Sequence, residues 1–264
     1  MNAATRRRLW LGALAAALLL GALAAWQPAA PRGAAGLVGY AVCHQIPARS
    51  FTLAGRPLPL CARCTGTYLG VMLGFGMLAA RRRARCSRLP PLPILIILGL
   101  FFVAWGADGL NSYLTLFPGL PHLYEPRNAL RLTTGMCNGL MLSNLVYPVF
   151  GATVWAEPRP QRSIENWREL GVLLALAGAL IGLVWWGWPP ALYLLALVSA
   201  LGPLSILGIA NALIVLVLMR RERAARAWRD LALPLLIAAA LTLGEIAALD
   251  VGRAWLTRMF GLSF

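Results

Sequence analysis

Cys43 and His44 stand side by side, and Cys61-Ala62-Arg63-Cys64 follows after one short loop. A Cys-x2-Cys pair is the common half of a zinc site, and a cysteine with a histidine supplies the chemistry of the other half. Neighbouring side chains point apart, so Cys43 and His44 reach one ion only if the backbone bends between them. His44 is then either a fourth ligand or a group beside the ligands. Four bound side chains make a closed, structural site, whereas a catalytic zinc keeps one position for water. The same thiols suit redox chemistry. Cys61 and Cys64 open a predicted helix beside Arg63, and a helix N-terminus and a nearby cation both lower a thiol pKa. Outside a membrane they can form a disulfide, with Cys43 as exchange partner. A static bridge that only pins the loop is the third reading. No histidine follows Cys64 directly, as haem attachment would require.

The elements that position these groups are apolar. Of 264 residues, 59% are hydrophobic and 12% charged, against about 25% charged in soluble domains. An integral membrane protein follows, stabilised by packed helices rather than by a disulfide framework. The formal charge of +15 comes entirely from arginine. The arginines sit in short clusters between apolar runs, the positive-inside pattern, and this argues against a nucleic-acid partner.

Seven spans are expected. Arg6, Arg7 and Arg8 precede an apolar run from Leu9 to about Trp26. That run is longer than the roughly 7–15 residues of a signal-peptide core, so a retained helix is favoured over a cleaved signal, which would leave six spans. Residues 27–60, rich in Pro, Gly and Arg, read as an outer loop. The second span starts near Cys61 and ends about Ala80, and the third covers about Ile94 to Leu110. The fourth covers about Asn128 to Val154, with a kink expected at Pro148. The fifth runs from Glu169 to Trp186, the sixth from Ala191 to Met219, and the seventh from Leu231 to about Val251. Sixteen of the 24 arginines fall in the loops this topology places inside, among them Arg81–Arg88, Arg159–Arg168 and Arg220–Arg229. The Cys/His motif is therefore expected on the extracytoplasmic face of the cytoplasmic membrane.

The same outer face receives Asp108, Asn111, Tyr124, Glu125, Asn128 and Arg131. Ionisable groups at membrane depth are costly and are usually paired; an Asp108–Arg131 pair between the third and fourth spans is expected. Asp108, Asn111, Asn128 and Arg131 would line a polar pocket below the motif, or simply lock two helices together. Asn144, Asn211, Thr242 and Glu245 read as hydrogen-bonding glue between helices. Gly66, Gly70 and Gly74, four apart, permit close helix packing. Arg49 and Arg63 lie outside the inner clusters and suit contact with an anionic headgroup, carboxylate or phosphate, or snorkelling to the membrane surface. Cys86 reads as an ordinary free thiol. Cys137 alone could complete a second redox pair.

The run Cys43-His44-Gln45-x-Pro47-x-Arg49-Ser50-Phe51, followed by Pro59-Leu60-Cys61-Ala62-Arg63-Cys64-Thr65-Gly66-x-Tyr68-x-Gly70, resembles a prokaryotic membrane-protein family catalogued as domain of unknown function 2085. Asp108-Gly109, Asn128, Arg131, Gly135 and Gly139 resemble its later signature. The resemblance covers roughly Gly36 to Phe150 and implies a membrane location and a shared outer-face site, without a reaction. The chain is thus expected to be an all-α polytopic bundle in three parts. Residues 1–35 form the first span and the start of the outer loop, 36–155 the membrane domain with the motif, and 156–264 a three-helix extension. A metal-binding membrane protein, zinc favoured, is the first functional reading. A membrane thiol–disulfide oxidoreductase using Cys61 and Cys64 is the second, and a structural protein or transporter the third.

Overall fold

The computed structural model describes residues 33–117 and 119–260. The predicted first span and its arginine cluster lie outside the described residues. Among those described, seven α-helices dominate: α1 (Ala34–Val42), α2 (Ala62–Ala80), α3 (Leu92–Leu114), α4 (Asn128–Val154), α5 (Trp167–Trp186), α6 (Pro189–Leu218) and α7 (Ala232–Phe260). Two two-stranded ladders, β1 (Thr52–Leu53) with β2 (Arg56–Pro57) and β3 (Cys86–Arg88) with β4 (Arg159–Arg162), qualify the all-α expectation.

Local sequence sets some of the helix ends. The Asn166 side chain accepts the Glu169 amide at the start of α5, and Gly187 takes a left-handed φ of +74° just past its end. Pro189 opens α6, where its missing N–H costs no helical bond. The helix α4 has the ends expected of it, and Pro148 lies within its unbroken length. Two differences stand out. The segment expected as loop holds α1, a run of Ala, Val, Leu and Gly that glycines and prolines mask from a composition reading. The last helix continues nine residues past Val251, to Phe260.

Four segments are long and apolar enough to cross a membrane: Leu92–Leu114, Trp167–Trp186, Pro189–Leu218 and Trp228–Phe260. Their outward faces are apolar, with Leu92, Ile96, Leu100 and Val103 exposed on α3 and Leu194, Leu197 and Leu201 on α6. Trp185, Trp186 and Trp188 are exposed near the α5–α6 turn, as interfacial aromatics are. The helices α2 and α4 are more polar and fall outside that group. They pack chiefly on each other, with α3 against α4 and α6 against α2. The polar pair is thus the inner layer, and the apolar helices shield it.

Glycine makes the α2–α4 contact close. A Cβ on Gly66 would collide with the Leu132 carbonyl, and one on Gly70 with that of Met136. From the other side, one on Gly135 would collide with the Arg63 carbonyl and one on Gly139 with that of Thr67. Backbone lies on backbone at four successive levels, so Arg63 of α2 and Arg131 of α4 are held in register.

At the end of the bundle opposite the cysteine motif, three arginine-rich loops meet. The strand β3 pairs in parallel with β4, Trp155 bridges to Ala225, and Arg85 donates to the Arg226 carbonyl at 2.7 Å. Buried Arg83 makes a two-pronged bond to Glu169 at 2.7 and 2.8 Å and reaches Glu165 at 3.2 Å, while Arg81 also pairs with Glu169. This bonding to Glu169 raises the Arg83 pKa above its ordinary value. Breaking a buried pair by removing one partner costs about 3–5 kcal/mol, and partial exposure discounts it here. Glu169→Gln is expected to lower stability by about 2 kcal/mol, read as a lower unfolding midpoint in detergent micelles, with Glu165→Gln costing much less.

Candidate functional site

The thiols come together because two chain segments are tied at one point. The first helix α1 ends at Cys43, whose amide bonds the Gly39 carbonyl. The chain then bends at Gln45, a non-glycine residue at φ +53°, a sparsely populated conformation that needs surrounding support. The Gln45 side chain supplies it by donating to the Pro59 carbonyl at 2.7 Å. The arm carrying Cys43 is thereby laid against the arm carrying Cys61, and the Cys61 amide donates to Cys43 Sγ at 3.2 Å.

The Sγ atoms of Cys43, Cys61 and Cys64 all lie within 4.8 Å of one another, a group that could hold a metal ion. Cys43 and Cys61 are buried and Cys64 is half-buried. Packed so tightly, the thiols do not ionise alike. Cys61 sits at the start of α2, and the neighbouring thiols of Cys43 and then Cys64 hold its pKa far below the thiol range. Cys43, bonded to Cys61, is pushed up to about 11.

His44 lies outside the group of mutually close sulfurs. Its Nδ1 accepts the Ile46 amide at 3.0 Å, and its ring helps to lower the Cys61 pKa. Cys137 of α4 and Cys86 at the opposite end are also outside the group. Burial pushes Cys86 up to about 11, consistent with an unreactive thiol.

The polar residues of the same end form a second constellation, on the last two turns of α3. Here the expected Asp108–Arg131 pair is corrected. Asp108, 2% exposed, pairs with Arg63, which binds its carboxylate through Nε (3.1 Å) and Nη2 and its carbonyl through Nη2 at 2.9 Å. The Tyr124 hydroxyl donates to the other carboxylate oxygen at 2.8 Å. Burial and this bond push Tyr124 up to about 12. Arg131 instead donates to Ser112 Oγ at 3.3 Å and to Asn128 Oδ1 at 2.9 Å. Arg63 wins because the glycine contacts bring α2 alongside, and its Nη2 also reaches Ser112 Oγ at 2.9 Å. Asn111 accepts the Leu123 amide at 2.7 Å and donates to the Tyr124 carbonyl at 2.8 Å, so it orders the connecting loop. Asn128 donates to the Ala48 carbonyl at 3.3 Å, and Arg49 donates to Thr115 Oγ1 at 3.2 Å.

A family model described as "Predicted membrane protein (DUF2085)" matches residues 43–145, from the first clustered cysteine to the second half of α4. An uncharacterized protein of Methanothermobacter thermautotrophicus is 32% identical over 106 residues, covering 39% of this chain and 83% of that one. The chain belongs to the DUF2085 family. An uncharacterized protein of Methanocaldococcus jannaschii is 31% identical over 109 residues, 41% of this chain and 64% of that protein, so this chain spans somewhat under two thirds of that relative's length. No solved structure matches.

The DUF2085 match holds all three clustered cysteines and the Asp108 network, but not all that supports them. Arg253 on α7 lies beyond it. Its guanidinium donates to the carbonyls of Tyr40 (2.6 Å), Cys43 and His44 (3.1 Å) and stacks over the Tyr40 ring at 4.2 Å. The last helix therefore clamps the cysteine loop. Arg253 and Ser112 were missed from sequence. The signal for Arg253 is a cation in a mostly apolar helix, far from the arginine-rich loops; Ser112 carries none.

Proposed function

We propose that this DUF2085 protein is a seven-span membrane protein of the cytoplasmic membrane that binds a zinc ion at its extracytoplasmic face through Cys43, Cys61 and Cys64. The observation that carries the reading is the mutual approach of three sulfurs within 4.8 Å. Tetrahedral zinc with Zn–S bonds of about 2.3 Å sets its sulfurs about 3.8 Å apart, so small rotations complete the site. Thiolate ligands favour zinc over the hard cations. His44 acts beside the ligands by steadying Cys61, and the fourth position is left to a small ligand. The orientation is supported by the arginine-rich loops gathered at the opposite end, the end that positive-inside sorting keeps in the cytoplasm. Residues 156–264 form an extension whose last helix serves the site through Arg253.

The test is metal analysis of the full chain purified in detergent. About one zinc per chain is expected, with the cluster thiols blocked against alkylation until a chelator removes the ion. Metal-free protein with a reversible Cys61–Cys64 disulfide would replace this reading with a thiol–disulfide oxidoreductase. On intact cells treated with chelator, a membrane-impermeant maleimide should label Cys61 or Cys64; labelling only after lysis would invert the orientation.

Arg253→Gln leaves every sulfur in place and removes the clamp on the Cys43 carbonyl. Loss of groups that orient a ligand typically costs 10–100-fold in metal affinity. A drop of about tenfold is expected, measured by competition with a chromogenic chelator.

A further inference from the structure

We infer that Arg49, Arg63 and Arg131 form a binding site for a phosphate-bearing anion beside the cysteine cluster. The site goes beyond the metal reading and does not depend on it.

The three guanidiniums come from three separate elements, the loop after α1, α2 and α4, and converge on one face of α3. Ser112 Oγ accepts from both Arg63 Nη2 and Arg131 Nε, and Thr115, one turn on, accepts from Arg49. Their charges repel one another, with Arg63 acting on Arg49 and both acting on Arg131. Asp108 is their only carboxylate partner among the described residues, and Arg63 and Tyr124 already occupy it. Arg49 and Arg131 have no carboxylate of their own among the described residues, and the Cys61 thiolate is the one other negative charge that acts on both, so positive charge remains in surplus. Arg131 is only 6% exposed, too enclosed for a residue that merely snorkels to the surface.

Charge in such a place is costly unless it is paired. A neutral serine hydroxyl accepting from two cations is a weak substitute for an anion, whose charge-assisted bonds are about twice as strong. Hydrogen-bonding capacity also remains. Arg49 Nε and Nη1, Arg63 Nη1 and Arg131 Nη2 make no hydrogen bond among the described residues. Guanidinium groups gathered on one side of α3 suit a tetrahedral phosphate, which offers an oxygen to each, and its charge of −1 to −2 balances the surplus. A phospholipid headgroup and a free phosphate share this chemistry.

The experiment uses the full chain in dodecyl maltoside, which carries no phosphate. Binding of inorganic phosphate is measured by calorimetry, and retention of added phosphatidylglycerol against a neutral glycolipid by native mass spectrometry. The Arg49 side chain makes a single hydrogen bond, so Arg49→Gln should spare the fold, and the unfolding midpoint on the same preparation checks this. It is expected to weaken binding by at least about tenfold, Arg131→Lys more mildly, and exposed Arg220→Gln not at all. Phosphate binding with this pattern assigns the site to a free anion. Phosphatidylglycerol retention alone, with the same pattern, assigns it to a headgroup. The proposal is overturned if neither probe binds at millimolar concentration, or if binding is indifferent to Arg49→Gln and Arg131→Lys. Zinc content read alongside reports on the metal centre separately, so loss of one does not mimic loss of the other.

Discussion

Purified Cys61→Ala protein is expected to lose its zinc, with affinity down by well over the roughly hundredfold that outer-partner mutations reach. Cys61 is the sulfur on which the cluster turns. The other two thiols lie beside it, it alone has its pKa drawn far down, and it stands at the N-cap of α2. Removing it leaves two sulfurs, one of them the reluctant Cys43. The fold should tolerate the change. Alanine fills nearly the same volume, and the bond from the residue 61 amide to Cys43 Sγ is made by backbone. Metal content and unfolding midpoint, taken on one preparation, should therefore separate. Zinc disappears, while the midpoint falls to that of chelator-treated wild type and no further. A variant that kept one zinc per chain would remove Cys61 from the ligand set and end the three-thiolate reading.

Gly139→Ala is expected to do the reverse, damaging the fold first and the site as a consequence. A Cβ at 139 would meet the Thr67 carbonyl, the Val71 amide and the Gly70 Cα, all backbone, with no flexible side chain to move aside. Overpacking in a core costs about 1–3 kcal/mol when side chains can adjust. Where two helix backbones must part, the upper end or beyond is expected, about 3 kcal/mol or more. Parting α2 from α4 also separates Arg63 from Ser112 and Arg131, so the arginine cluster loses its register. Gly76→Ala is the control. Nothing lies within 4 Å of a Cβ built there, and alanine gains about 1 kcal/mol of helix propensity. Reduced yield and a lowered midpoint for Gly139→Ala, beside an unchanged or raised one for Gly76→Ala, is the expected result. Equal midpoints would show that the helices pack less closely than the backbone contacts imply.

Much of the architecture was legible before any coordinates. Hydropathy marks the long apolar helices because burial in lipid demands apolar side chains over a fixed length. The bounds of α4, about Asn128 to Val154, were readable as well. The Gly66-Gly70-Gly74 spacing announced close packing, since it lays three bare positions along one helix face. The helix α1 was not legible, because glycine and proline around it report local flexibility while its stability comes from packing against α7 and α6. The β3–β4 ladder was hidden for a similar reason, since its strands are short and more than 70 residues apart.

The inventory can be read from the chain alone: cysteines at helix-mouth spacing, arginines sorted between loops, and spans with one face bare of side chains. Those are local properties, written in neighbouring residues. Partner choice came from how the helices pack. Asp108 had Arg63 and Arg131 as equal chemical candidates, and it took Arg63 because glycine contacts bring α2 within reach. Arg253 joined the Cys43 loop from more than 200 residues away. Periodicity tells a helix which of its own faces is buried. It carries no information about which other helix lies against that face, and the choice of neighbour set the chemistry here.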